Sequence, residues 1–191
     1  MHSNPNSDKY RNTYRIPPAR LQTWNYASEA AYFVTICTKN RRNYFGNISG
    51  GQIEYATMGS IARQEWLRTP GLRADMNIQL DEFVLMPNHF HAIVIIGAND
   101  YNGRDSMHRV STPPVNANAF GPQRKNLGSI IRGFKSSVTT YARKNNIEFD
   151  WQERFHDHVI RNDVEHERIK NYIKNNVVNW KGDKFYAKNE S

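Results

Sequence analysis

Cys37 is the only cysteine among 191 residues, so the chain can form neither an internal disulfide nor a cysteine-based zinc site by itself. The lone thiol, set in the apolar run AYFVTIC, suits a reducing compartment. Long apolar runs are also missing: none approaches the roughly 18 to 20 residues that cross a bilayer. The opening residues MHSNPNSDKYRNTYR lack the apolar stretch of an export signal, so the expectation is a cytoplasmic protein with no membrane contact. There is no H-E-x-x-H pattern, which removes one familiar helical zinc motif. Finally, no Asp or Glu falls between Ser106 and Ile147.

That acid-free block holds Arg109, Arg124, Lys125, Arg132, Lys135, Arg143 and Lys144, a one-sign stretch that would set up a positive field over one face. The whole chain has 26 Lys and Arg against 18 Asp and Glu, a formal charge of +8. A polyanionic partner fits this balance, although charge alone does not identify one.

The length suits one domain with appendages. Residues 1–28 read as an irregular basic arm, 29–180 as the domain, and 181–191 as a tail. AYFVTICTKN is dense in β-formers and predicts a first strand, and GNISGGQIEY a small hairpin about its Gly-Gly pair. Met58, Ile61, Ala62, Trp66 and Leu67 recur at helical spacing and predict a helix from Ala56 to Leu67, stopping before Pro70. IQLDEFVLMPNHFHAIVII predicts two strands turning at Met86 to Asn88. Residues 97–126 form a long polar connection. LGSIIRGFKSSVTTYARKN predicts a second helix, WQERFHDHVIRN a strand, and DVEHERIKNYIKNNVVNW a third helix with Asp163 as its N-cap. This order predicts an α+β fold: a ferredoxin-like antiparallel sheet with helices on one face, plus an extra C-terminal helix.

His89 and His91 stand one residue apart at the start of a strongly apolar strand. Positions i and i+2 of a strand project to one face, so the two imidazoles would lie side by side while Phe90 points away. Two buried, hydrogen-bonded histidines would satisfy the same pattern; their place at the mouth of the strand, just past a turn, favours a shared cation. Such a site would need a further nitrogen or oxygen ligand from elsewhere in the chain.

LMPNHFHAIVI, GSIIRGFKSS, WQERFHDHVIRN and IKNYIKNNVVNW, in that order, resemble the IS200-like transposases, and among them the REP-associated tyrosine transposases. The likeness spans roughly residues 30–180. It implies an HUH-type single-strand DNA endonuclease: a divalent ion, Mg²⁺ or Mn²⁺, on His89 and His91, and Tyr172 as nucleophile. YIKNNV matches the family's tyrosine segment, which implies Asn176 as third metal ligand; Val177 stands where relatives often carry Pro. Tyr172 and Asn176 share a helix face at i and i+4. The likeness further implies single-stranded or hairpin DNA as substrate, a 5′-phosphotyrosine intermediate, a homodimer and a place at the bacterial nucleoid. Tyr141, with Asn145 four residues on, has the same spacing, and spacing alone does not choose between the two tyrosines.

Further DNA contacts are expected at Arg132 and Lys135 on the acid-free helix, although a solvated face would look the same. His158 and Arg161 match family positions, whereas His156 with His158 is not expected to form a second metal site. Arg11, Arg15 and Arg20, beside Tyr10, Tyr14 and Trp24, could bind phosphates and stack bases, and a disordered tail would fit the same residues equally well. Two other readings remain: a nucleic-acid-binding module that keeps the fold without cleaving, and a metal hydrolase that uses water in place of tyrosine.

Overall fold

β-branched and aromatic residues fill Ala30–Cys37, and the strand they form, β3, is buried on both sides. Tyr32, Val34 and Ile36 point to one face and Phe33, Thr35 and Cys37 to the other. The computed structural model describes residues 24–102 and 124–186, with the backbone of two short paired strands, β1 (Lys9–Tyr10) and β2 (Thr13–Tyr14). Arg11, Arg15, Arg20 and the side chains of Tyr10 and Tyr14 lie outside the described residues, as do 103–123 of the polar connection and 187–191 of the tail.

After β3, the hairpin strands β4 (Gly46–Ser49) and β5 (Gln52–Tyr55) turn through Gly50 and Gly51. Their φ values of 58° and 75° are those a tight hairpin requires at both central positions. Helix α1 (Thr57–Arg68) follows and buries Met58, Ala62 and Trp66, while Leu67 is exposed. β6 (Ile78–Leu85) and β7 (His89–Ile96) flank the predicted turn. Helix α2 (Leu127–Lys144) starts at a reciprocal cap in which Asn126 Oδ1 accepts from Ser129 N and Ser129 Oγ accepts from Asn126 N. β8 (His156–Ile160) and helix α3 (Asp163–Asn175) complete the chain.

β3, β6, β7 and β8 form one antiparallel sheet in the order β6-β7-β3-β8. The first and third core strands take the centre, and the helical crossovers α1 and α2 cover one face, as the ferredoxin-like reading expects. On that face Trp66, Phe90 and Phe134 meet edge-on or tilted at 4.9 to 5.5 Å between ring centroids. The opposite face is apolar only in part. There Ile93 and Ile160 pack under Ile169 and Ile173 of α3, with Phe33, Val84 and Ile95 beside them. Burying each of these isoleucines contributes roughly 1.5 to 3 kcal/mol, and together they fix α3 across the histidine-bearing end of the sheet.

Three boundaries differ from the sequence expectation. The N-cap of α3 is Asn162, whose Oδ1 accepts from Glu165 N at 2.8 Å; Asp163 is the first helical residue. The helix ends at Asn175 instead of running on to Trp180, because the chain tightens into a short turn at Trp180–Gly182. β8 begins only at His156, and Trp151 makes an isolated bridge to Thr38. No helix among the described residues is long and apolar enough to cross a membrane.

Candidate active site

The central position of β7 puts His89 and His91 on the α3 face, with His91 opposite Thr35 and His89 opposite Cys37. Both imidazoles are sealed from solvent, at 0% and 1% exposure, and their ring centroids lie 4.5 Å apart. Neighbours hold each ring in place. His89 Nδ1 donates to Asn88 Oδ1 at 2.9 Å, and Asn88 Nδ2 in turn donates to the carbonyls of Arg41 and Phe185. His91 Nδ1 is paired with Thr35 Oγ1 at 2.8 Å. Because Asn88 Oδ1 can only accept, His89 carries its proton on Nδ1 and keeps a lone pair on Nε2.

Burial, helped by Lys184 and Arg41, pushes His89 down to about 3. Burial, then His89 itself, holds His91 well below the usual imidazole range. Both rings are therefore neutral near pH 7, the form that binds metals.

Tyr172 reaches this pair from α3. Its hydroxyl lies 3.1 Å from His91 Nε2, and its ring stands edge-on to Phe33, yet the side chain remains 41% exposed. The helix is held at the required height by Ile169 and Ile173 below and by β6 alongside. Asp81 meets His166 at 2.7 Å and Lys170 at 3.2 Å, and Glu82 meets Lys174 at 3.6 Å. Burial and the nearby Asp183 carboxylate raise the phenol above its ordinary value, against an opposing pull from the Asn176 amide. The phenol needs help to ionise.

Asn176 caps the C-terminal end of α3 one turn beyond Tyr172, with Val177 following it. Its side chain is 3% exposed. Asn176 Nδ2 donates to Asp183 Oδ2 at 3.3 Å, whereas its Oδ1, like His89 Nε2, is buried with no hydrogen-bond partner. A buried amide oxygen and a buried imidazole nitrogen left unpaired are costly. A cation satisfies both, so the residues present fit the divalent ion that the family resemblance implies. Donor atoms of His89, His91 and Asp183 also lie within 4.8 Å of one another.

Two clefts meet at Tyr172. One, of about 1080 Å³, runs along the open part of the sheet and carries Arg41, Arg154, His156, His158, Arg168 and Lys184. The other, of about 1500 Å³, lies between α3 and the β4–β5 hairpin and is rich in amides, among them Asn43, Asn47, Asn171 and Asn175, with Trp180 at its wall.

The remaining residues singled out in the sequence scatter. His158 lines the basic cleft and bonds Glu165 Oε1 through Nε2 at 2.8 Å; Arg161, just past β8, offers its backbone N–H to the same carboxylate. His156 is exposed on the same side, opposite Thr35. Lys135 turns back over the Trp151 indole and donates to the Gln152 carbonyl, and burial lowers its ammonium. Arg132 is exposed on α2, across the sheet from the histidines. Tyr141 packs against the α1–α2 core on that far side. Sequence reasoning missed Asp183, Arg41, Arg154, Arg168 and Lys184. Arg154 lies inside a quoted block and was within reach; Asp183 carries no local signal.

No protein-family model matches the chain. It is 37% identical over 173 residues to an uncharacterized protein of Haemophilus influenzae, covering 88% of this chain and 91% of that one. The structure is similar to that of a REP-associated tyrosine transposase bound to a REP hairpin, with a TM-score of 0.54 at 19% identity over 86% of this chain and 76% of the other. The chain belongs to one family with the Haemophilus influenzae protein, and it shares the fold of the REP-associated tyrosine transposase.

Proposed function

We propose that the protein is an HUH-type endonuclease and strand transferase that cuts and rejoins single-stranded or hairpin DNA through Tyr172. The observation that carries this reading is the Tyr172 hydroxyl at 3.1 Å from His91 Nε2, beside the unpaired His89 Nε2 and Asn176 Oδ1. The likeness to a transposase bound to a REP hairpin supports the substrate class.

His89, His91 and Asn176 would hold a Mg²⁺ or Mn²⁺ ion, which polarises the scissile phosphate and favours the phenolate. The lone pair of His91 that now holds the Tyr172 hydroxyl is the one a ligand role takes, which frees the phenol to turn to the phosphate. Tyr172 then loses its proton to solvent through its exposed side, and its oxygen attacks phosphorus. The P–O3′ bond breaks, and the 3′ oxygen leaves as a hydroxyl after taking a proton from water. The 5′-phosphotyrosine keeps the bond energy, so the 3′-hydroxyl of another strand can displace Tyr172 and rejoin DNA without ATP. The two clefts meeting at Tyr172 provide a path for the strand on either side of that phosphate. Arg132, Lys135, His158 and Arg161 are proposed as backbone contacts outside the reacting centre. A homodimer and a place at the nucleoid complete the proposal; sedimentation of the purified protein tests the first.

The test is incubation of labelled hairpin DNA with wild type, Tyr172→Phe and Tyr141→Phe in Mn²⁺ or EDTA, resolved on a denaturing gel. The expected outcome is a Mn²⁺-dependent covalent adduct absent only from Tyr172→Phe. An adduct lost only in Tyr141→Phe would move the nucleophile to Tyr141, and cleavage without an adduct in Tyr172→Phe would mean water is the nucleophile. Binding with no adduct in any sample would make the chain a non-cleaving module.

A further inference from the structure

The three residues assigned above to the ion are all neutral. Imidazoles bind metals as neutral rings and the amide oxygen carries no charge, so these three bring none to a dication, and Arg41 and Lys184 line the same site. A doubly charged ion in such a shell lacks any compensating negative charge, and hard ions such as Mg²⁺ and Mn²⁺ favour carboxylate oxygen. Among the described residues, Asp183 is the carboxylate whose oxygen joins the histidine nitrogens in one cluster, with all donor atoms within 4.8 Å. Donors on opposite sides of one ion stand about 4.2 to 5 Å apart for bonds of 2.1 to 2.5 Å, so a single ion can reach all three.

The local structure aims Asp183 at this place. The turn Trp180–Gly182 reverses the chain after α3, and the buried Trp180 ring lies 5.9 Å from His89. Asp183 Oδ1 accepts from Phe185 N at 2.6 Å, which fixes the carboxylate's rotation, and Oδ2 accepts from Asn176 Nδ2. That second bond also orients Asn176: with Nδ2 committed to Asp183, Oδ1 becomes the unpaired, buried oxygen. Phe185 then closes over the pair, 4.6 Å from the His89 ring and 6.0 Å from His91.

Building on the metal site of the proposed function, we infer that Asp183 is the anionic fourth ligand of the ion and that the ion clasps residues 180–186 onto the histidines. Two imidazoles, one amide and one carboxylate then make the shell, and the segment beyond α3 becomes part of the metal site.

The test is titration of Mn²⁺ into the purified, DNA-free protein by calorimetry, with amide hydrogen exchange across 180–186 read with and without the ion. The samples are wild type, His91→Ala, Asp183→Asn and Asp183→Ala. The Asn variant keeps the side chain's shape and one carbonyl acceptor, for the Phe185 N–H, while removing the charge, which limits a folding artefact. One ion per chain is expected in wild type, and binding is lost in His91→Ala. Asp183→Asn should weaken Mn²⁺ by more than the roughly 10- to 100-fold that losing an outer hydrogen-bond partner costs. Mn²⁺ should slow exchange across 180–186 in wild type but not in the Asp183 variants. Equal Mn²⁺ affinity in wild type and Asp183→Asn overturns the ligand role while leaving the histidine site standing. No Mn²⁺ binding by wild type overturns the metal reading itself.

Discussion

His89 stays neutral because it is buried beside two cations, and that neutrality has a consequence for the metal-free protein. Its folded-state value of about 3 lies below the ordinary 6.5. Between those two values the unfolded chain binds a proton that the folded chain does not. Stability contributed at this site is therefore present above about pH 6.5 and lost as pH falls toward 3. Thermal melts in EDTA from pH 7 to pH 4 should show Tm dropping more steeply for wild type than for His89→Gln; parallel slopes would mean that the ring titrates normally in the fold. Tyr172 shows the opposite shift, since burial and Asp183 disfavour the phenolate. On the proposed mechanism, this shift keeps the Tyr172 phenol protonated in the ion-free protein.

At the level of the element, α3 is a lever whose two ends are tied down. Its C-terminal end carries Tyr172 and Asn176, and its N-terminal end depends on the Asn162 cap and on Glu165, which takes the Arg161 N–H and His158. Asn162→Ala should cost about 1 kcal/mol in urea denaturation, the usual worth of such a cap. Asp163→Ala should cost only about 0.3 to 1 kcal/mol, because a first-turn carboxylate acts through the helix dipole alone. If Asp163→Ala proves the more damaging, the cap lies where the sequence suggested and not at Asn162. β6 supplies the other restraint: its register shifts between Leu80 and Phe83, and the intervening Asp81 and Glu82 reach the lysines of α3. A bulge of this kind re-aims side chains, here toward the helix that bears the tyrosine.

For the whole molecule the net charge is +8, and among the described residues basic side chains lie on both faces of the sheet. Arg154 and Arg168 line the cleft that leads to Tyr172, while Arg132 sits on α2 across the sheet. Hairpin binding should weaken steeply with salt, and Arg154→Ala or Arg168→Ala should each reduce the number of ions released by about one. Arg132→Ala tests the second surface. An unchanged salt slope confines the DNA to the cleft side, and a slope reduced by a similar amount extends the DNA path over α2. Fluorescence anisotropy over a range of KCl concentrations reads all three variants.

The sequence by itself determined the sheet and its helices, because each element buries a continuous face and its apolar period is visible in one short window. Val34 and Ile36, or Ile130, Phe134 and Val138, announce their own partners' side. It also determined that His89 and His91 share a face, since strand geometry makes i and i+2 neighbours wherever the strand goes. Spacing did not say which tyrosine meets them, since Tyr141 and Tyr172 both have an asparagine four residues on; the likeness of YIKNNV pointed to Tyr172, and the packing of α2 and α3 on opposite faces of the sheet brings Tyr172 to His91. Asp183 was illegible for the same reason. It reaches the histidines through a turn after α3 and a hydrogen bond from Asn176, and contacts between residues distant in sequence exist only once the chain has closed on itself.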